Sequence, residues 1–340
     1  MAGVCGFLER RQAVKLASLR RGGRDGTLVV VNRRLTRAVP VPQIADTLQQ
    51  ALESWDRCAA QLEAVYAKLN TEEGEGFELD SLELVSPLPR TYQWLDGSAY
   101  LSHVKRVRKA RGAELPENLL TDPLMYQGGG DSLMGPCDPV CLQNEAWGLD
   151  FEAEVGVITD DVPMGVTPAE AAVHIKLLVL INDLSLRNLI PAELAKGFGF
   201  LQGKPSSALS PVAVTIDELK PDWKDNKLHL PLRTGLNGIP FGEPDAGEGM
   251  QFDFSELVSH AAHTRQLTAG TLIGSGTVSN EDVSRGCSCL VEKRLLEIIE
   301  WGEAKTPFLR VGDRLRIEML DRQGHSVFGA IEQEVIPCPN

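Results

Sequence analysis

The chain has 340 residues, 43% of them hydrophobic, and a formal net charge of −13. At that length one large domain plus a smaller one is expected, and no apolar run approaches the ~20 residues that span a bilayer. The acidic balance argues against nucleic acid, which needs a basic face, so neither membrane nor nucleic acid is expected as a partner.

Glu9, Arg10 and Arg11 precede any sustained apolar region, so the first 14 residues do not read as a signal peptide. Arg10, Arg11, Lys15, Arg20, Arg21, Arg24, Arg33, Arg34 and Arg37 form a basic stretch without interleaved aromatic residues to stack bases. It reads as a solvated strand-and-turn surface. Leu16 on one side of the Gly- and Asp-containing turn at 21–26, and Leu28, Val29, Val30 and Val31 on the other, predict two strands. From Ala45 onward, Leu48, Leu52, Trp55, Ala59, Leu62 and Tyr66 recur at steps of three and four, an amphipathic helix period. The Gly- and Glu-rich residues 70–76 break it. A small N-terminal α+β module is therefore expected over 1–80, with a catalytic domain over 81–340.

The remainder reads as mostly strands and loops. Residues 173–182 are nearly all apolar and predict a buried strand. Leu315, Ile317 and Met319 alternate along 314–320, and the turn at 321–324 leads into a second strand over 326–336. Short helices are predicted at 168–173, 254–262 and 290–301. The seven cysteines, an odd number scattered from Cys5 to Cys338, read as reduced thiols of a cytoplasmic protein. Cys137/Cys141 and Cys287/Cys289 lack a matching pair at zinc-finger spacing.

In Asp150-Phe151-Glu152-Ala153-Glu154-Val155, residues two apart on a strand share a face, so Glu152 and Glu154 point the same way. In a cleft, two neighbouring carboxylates need a cation or a shared proton; on an exposed edge strand the same pair is a solvated face. The apolar run of 173–182 ends in Asn182-Asp183, with Arg187 four residues on. A carboxylate where a buried strand meets a loop suits a functional group. Its alternative is a turn or capping Asp paired with Arg187. His103, one of six histidines, follows Asp96 by seven residues in a loop-to-helix context. His260 and His263 lack the carboxylate-rich surroundings of a zinc site and read as structural. Gly203-Lys204-Pro205 is not a phosphate loop, because Pro205 stands where Ser or Thr is needed.

Asp96-x6-His103, Glu152-x-Glu154, Asn182-Asp183-x3-Arg187, Gly203-Lys204, Gly274-Ser275-Gly276-Thr277 and Glu292, in that order, resemble fumarylacetoacetate hydrolase and its shorter bacterial relatives. The resemblance runs from about Lys15 to the C-terminus. It implies an α+β, mostly β fold, with a mixed β-roll catalytic domain behind the small N-terminal α+β domain. It places a divalent cation on Asp96, Glu152, Glu154 and Asp183, four oxygen ligands that suit Mg²⁺, Ca²⁺ or Mn²⁺ better than zinc. It makes His103 the water-activating base, Glu292 the carboxylate that orients it, and Lys204 the active-site lysine. Arg187 and Thr277 fall on substrate-contacting positions, as do Tyr126 and Arg111, where the intervening spacing differs by a few residues. A homodimer is implied as well. The Gln and Tyr that the family carries on this wall of the site are Ile190 and Leu194 here.

The expected activity is hydrolysis of a C–C bond in a β-diketone or 2,4-dioxo acid such as fumarylacetoacetate, a small acidic diketone. Alternatives within the family are an acylpyruvate hydrolase, an oxaloacetate decarboxylase, or a 2-oxo acid isomerase or hydratase. Outside enzymes, the alternative is a metal-binding protein without turnover. His103 and Glu292 together favour hydrolysis.

Overall fold

The computed structural model describes residues 13–71, 76–80, 83–110 and 118–339. The long apolar run forms the strand Ile175–Asn182. Leu177, Val179 and Ile181 belong to a core shared with Leu48, Leu52, Trp55 and Leu62. Leu178 and Leu180 belong to a second core with Phe151, Val155 and Phe254. Successive side chains of a strand point to opposite faces, so a strand covered on both faces is apolar throughout. Each such Leu or Ile contributes ~1.5–3 kcal/mol on burial. The strand starts later than 173, since Ala172–His174 form a 3-10 turn and Val173 is exposed.

Around this strand the main sheet runs in the order Phe77–Glu78, Arg37–Pro40, Thr27–Val31, Lys15–Leu19, Ala213–Thr215, Ile175–Asn182, Ala153–Thr159, Leu272–Gly274, Trp94–Gly97 and Met125–Gly128. Leu272–Gly274 and Trp94–Gly97 are parallel. The N-terminal strands are part of this sheet, because Lys15–Leu19 pairs with Thr27–Val31 on one side and Ala213–Thr215 on the other. The helical period from Ala45 is split into Leu48–Leu52, capped by the Thr47 side chain, and Trp55–Thr71. Together these helices cover one face of the sheet.

A second sheet orders Ile239–Gly242, Leu232–Leu236, Arg314–Met319, Ile331–Pro337 and Val140–Leu142. Leu315, Ile317 and Met319 are buried while Arg314 and Arg316 are exposed, as the alternation predicts. The partner strand begins at Ile331 and not at 326. Gly329, at φ +75°, bends the chain before the ladder can start. Helices form at Pro168–Ala171, Phe254–Ala261 and Leu290–Trp301. The architecture is mixed and mostly β with helices at its N-terminal side, the expected class. Among the described residues no helix is long and apolar enough to cross a membrane.

Sheet register brings the acidic motifs to one place. Ala153 lies opposite Asn182, Gly156 opposite Gly274, and Gly274 opposite Asp96. Asp96, Glu152, Glu154 and Asp183 therefore meet at one end of the sheet.

Candidate active site

Ala153–Thr159 is paired on both sides, so Glu154 is on a central strand and the solvated-edge alternative does not apply. Glu154 is 0% exposed, and neither of its carboxylate oxygens has a hydrogen-bond partner. Asp96, Glu154 and Asp183 each place an oxygen within 4.8 Å of the others. Asp96 accepts from the Gly276 N–H at 3.1 Å. Asp183 accepts from the Ser207 hydroxyl at 2.8 Å and the Tyr126 hydroxyl at 2.7 Å. Only glycine fits at 274, where a Cβ would meet Asp96 Oδ1 at 2.5 Å and Glu154 Oε2 at 2.9 Å.

Glu152, two residues before Glu154, has the opposite surroundings. It accepts from Lys204 Nζ at 2.5 Å, Arg187 Nη2 at 2.7 Å, the Thr277 hydroxyl at 2.7 Å and the Ser185 hydroxyl at 3.1 Å. Lys204 also pairs with Asp183. Arg187 does not pair with Asp183; its Nε donates to Asp150 at 2.8 Å.

Five buried carboxylates (Asp96, Asp150, Glu152, Glu154 and Asp183) thus face two basic side chains, Arg187 and Lys204. Burial, and then Asp96 and Asp183, push Glu154 well above the usual carboxylate range. Burial and Asp183 do the same to Asp96. Burial acts upward on Glu152 too, but Arg187 and Lys204 together hold it well below. Burial disfavours the charge on Lys204, and Asp183 and Glu152 more than reverse this, keeping it an ammonium. Buried carboxylates without donors need a positive partner or a proton. The orphaned oxygens of Glu154, beside the hydrogen-bonded carboxylates of Asp96 and Asp183, fit a hard divalent cation as an oxygen-only donor set. Glu152 borders that set with all its present donors being other side chains.

His103 is the third residue of the helix Leu101–Ala110, and Glu292 lies in the first turn of Leu290–Trp301. His103 Nδ1 lies 2.7 Å from Glu292 Oε2. Burial raises Glu292, but His103, Arg106 and Ser279 together bring it below its usual value, so it stands as an anion. His103 itself lines the cleft. Cys289 Sγ is also within 4.8 Å of ligand atoms of His103 and Glu152. Burial pushes that thiol well above its usual range, and a protonated thiol is a poor ligand for a soft metal.

His103, Glu154, Arg187, Lys204 and Thr277 all line one cleft of about 480 Å³. Its other wall is apolar, with Leu124, Met125, Ile190, Leu194 and Phe200. Tyr126 packs edge-on to Phe200, ring centroids 5.1 Å apart. Arg111 lies outside the described residues. His260 is an exposed side chain 3.8 Å from Asp122 and does not line the cleft. A larger open concavity of about 1120 Å³ lies against the second sheet. Its charged side chains pair with one another, as in Arg314–Glu334 at 2.9 Å.

The profile described as fumarylacetoacetate (FAA) hydrolase C-terminal matches residues 93–336, and fumarylacetoacetase N-terminal domain 2 matches residues 14–90. The chain belongs to the fumarylacetoacetate hydrolase family. Over 206 residues it is 28% identical to the 2,4-didehydro-3-deoxy-L-rhamnonate hydrolase of Sphingomonas sp., covering 60% of this chain and 69% of that one. It is 23% identical over 265 residues to an oxaloacetate tautomerase of Bacillus subtilis, covering 76% and 77%. The chain spans about half the length of the plant fumarylacetoacetases it also matches, 55% for that of Arabidopsis thaliana. Among solved structures, maleylpyruvate hydrolase from Sphingobium sp., in complex with manganese(II) and pyruvate, superposes with a TM-score of 0.64. That likeness covers 96% of this chain and 100% of the other at 15% identity, and it speaks to the fold.

Three residues of this family member's site were not singled out by their sequence context. Asp150, 0% exposed, accepts from the Leu290 and Val291 N–H groups at 2.7 and 2.9 Å, at the start of the helix that carries Glu292. Its signal was present as a third acid in the period-two run Asp150, Glu152, Glu154. Arg106 lies one helical turn after His103 and reaches Glu292 at 2.7 Å. Glu193 accepts from the N–H groups of Leu201, Gln202 and Gly203 at 3.1, 2.7 and 2.8 Å, fixing the chain that leads into Lys204. No local pattern marks it.

Proposed function

We propose that this family member is a divalent-cation-dependent hydrolase that splits a C–C bond in a 2,4-dioxo acid. The observation that carries the reading is that His103, backed by Glu292, lines the same cleft as Asp96 and Glu154, whose oxygens lie within 4.8 Å of an Asp183 oxygen. Asp96, Glu154 and Asp183, with Glu152 beside them, would hold a divalent cation, which when bound would supply a Lewis acid for the substrate's oxygens. Mg²⁺, Ca²⁺ and Mn²⁺ all suit such a donor set.

His103 takes a proton from the water that attacks the acyl carbon. Glu292, on the opposite ring nitrogen, fixes the tautomer and stabilises the imidazolium that forms. The acyl carbon gains the hydroxyl and departs as a carboxylic acid. The other carbon receives a proton, from Lys204 or a water, as the C–C bond breaks. Arg187, Lys204 and Thr277 draw and orient the anionic end of the substrate despite the acidic net charge, because the local field in a cleft decides steering.

The test is a panel of fumarylacetoacetate, acetylpyruvate and oxaloacetate, followed by loss of diketone absorbance with and without EDTA. C–C cleavage that EDTA abolishes and Mn²⁺ restores is expected. The likeness to an oxaloacetate tautomerase favours a second reading, in which the same groups move a proton between carbon and oxygen. Keto–enol interconversion without cleavage across the panel would decide for it. A homodimer is part of this proposal, to be checked by sedimentation.

A further inference from the structure

We propose that Arg106 is a positioning residue for the His103–Glu292 pair, holding Glu292 in the orientation that presents Oε2 to the His103 ring. The inference rests on the reading of His103 as the base. Arg106 sits on the same helix as His103, three residues on, so both side chains point toward the helix Leu290–Trp301. Nη1 donates to Glu292 Oε1 at 2.7 Å and to the Ser279 hydroxyl at 2.9 Å. Ser279 in turn donates to the same Oε1 at 2.9 Å. The second arm of the guanidinium donates to the Asn280 carbonyl at 2.8 Å and the Glu281 carbonyl at 3.1 Å.

These contacts divide the Glu292 carboxylate between two tasks. Oε1 is occupied by Arg106 and Ser279, and Oε2 is left for His103. The side chain of Glu292 is 1% exposed, so water does not compete for either oxygen. Without Arg106, Oε1 keeps only the hydroxyl, and rotation of the carboxylate is no longer opposed by a charged, two-armed donor. A planar fork anchored on two backbone carbonyls fixes direction as well as charge, which an ammonium cannot do equally well. The same anchors tie the helix of His103 to the loop just after Thr277. Arg106 touches neither the cleft's carboxylate trio nor its apolar wall, so it acts through Glu292.

Five proteins test this: wild type, Arg106→Gln, Arg106→Lys, His103→Ala and the double variant His103→Ala/Arg106→Gln, which completes a cycle. Each is assayed at saturating Mn²⁺ on whichever compound of the three-member panel the wild type cleaves fastest. Removing a group that orients a catalytic residue typically costs 10–100-fold, so Arg106→Gln is expected to lower kcat by ~10-fold or more with KM unchanged. Arg106→Lys should recover part of that loss. In the His103→Ala background, Arg106→Gln should cost almost nothing further, because its route to the reaction is already gone. A loss of equal size in both backgrounds would overturn the inference and leave Arg106 a structural tie. Full kcat in Arg106→Gln beside a crippled His103→Ala would overturn it as well. Full activity in His103→Ala would remove the base itself, and the inference with it. Should Arg106→Gln not fold, the cycle is run with Arg106→Lys, with the same absence of a further loss expected.

Discussion

Glu152 and Glu154 stand two residues apart at the same end of the sheet, yet four side chains donate to Glu152 and none to Glu154. The contrast assigns them different duties. Glu152 is the anchor of the cationic side chains, and Glu154 is the carboxylate whose charge has no partner in the chain.

For the metal-free protein, the raised pKa of Glu154 has a definite sign. Between the ordinary carboxylate pKa and the raised one, the folded state keeps a proton that the unfolded state has lost, so stability falls as pH rises through that window. Glu154→Gln should therefore raise the Tm of EDTA-treated protein at pH 7. Mn²⁺ at 100 times its Kd should stabilise the wild type by about 2.7 kcal/mol and the variant by far less. Because the ligands must be deprotonated, Mn²⁺ binding should also release protons, visible as a buffer-dependent calorimetric heat. Unchanged Mn²⁺ stabilisation in Glu154→Gln would place the cation elsewhere.

His103→Ala should lower turnover by roughly 10²–10⁴, the usual contribution of a general base. Mn²⁺ affinity should stay close to that of the wild type, since His103 lies outside the carboxylate trio. In the proposed mechanism Glu292 orients the base and does not itself take the proton, so Glu292→Gln should act in the same direction with a smaller effect. Steady-state kinetics paired with calorimetric Mn²⁺ titration measures both. Equal losses of metal affinity and turnover would argue against a separate proton-transfer role.

Glu193 gathers three successive backbone N–H groups immediately before Lys204. Its replacement by Ala frees those donors and the loop they belong to. A fall of ~10–100-fold in kcat/KM is expected, in the range for groups that hold an active-site residue in place. Tm should fall as well, because Glu193 is buried and its loss leaves three backbone N–H groups without their acceptor. If kcat/KM survives intact, Lys204 is held by Glu152 and Asp183 alone.

The wall formed by Ile190 and Leu194 lines the cleft and offers the substrate no hydrogen bond. Apolar pockets discriminate weakly between acyl groups, whereas a wall built to hydrogen-bond rejects analogues lacking the partner by ~10⁴ or more. Comparable kcat/KM values are therefore expected for fumarylacetoacetate and for dioxo acids with shorter or uncharged tails. A preference for the fumaryl group near ~10⁴ would point to a polar contact from another residue, Tyr126 or Arg111 among those named.

Several features of this protein follow from local pattern alone. The step of three and four from Leu48 to Tyr66 makes helix, and the alternation of Leu315, Ile317 and Met319 makes a half-buried strand, because both periods act over a few residues. The nearly all-apolar run that ends before Asp183 makes a strand covered on both faces. The order of the acidic, histidine and glycine motifs carried the family. What those patterns could not decide is who pairs with whom. His103 and Glu292 are 189 residues apart, Arg106 and Glu292 186, and Lys204 and Glu152 52. Arg187, near enough in sequence to pair with Asp183, reaches instead to Asp150 and Glu152. Those meetings depend on sheet register and helix packing, which are fixed by the whole core at once. The same fold leaves Glu154, inside the strand Ala153–Thr159, bare while saturating Glu152 just before it, and no reading of residues one at a time distinguishes two glutamates two positions apart.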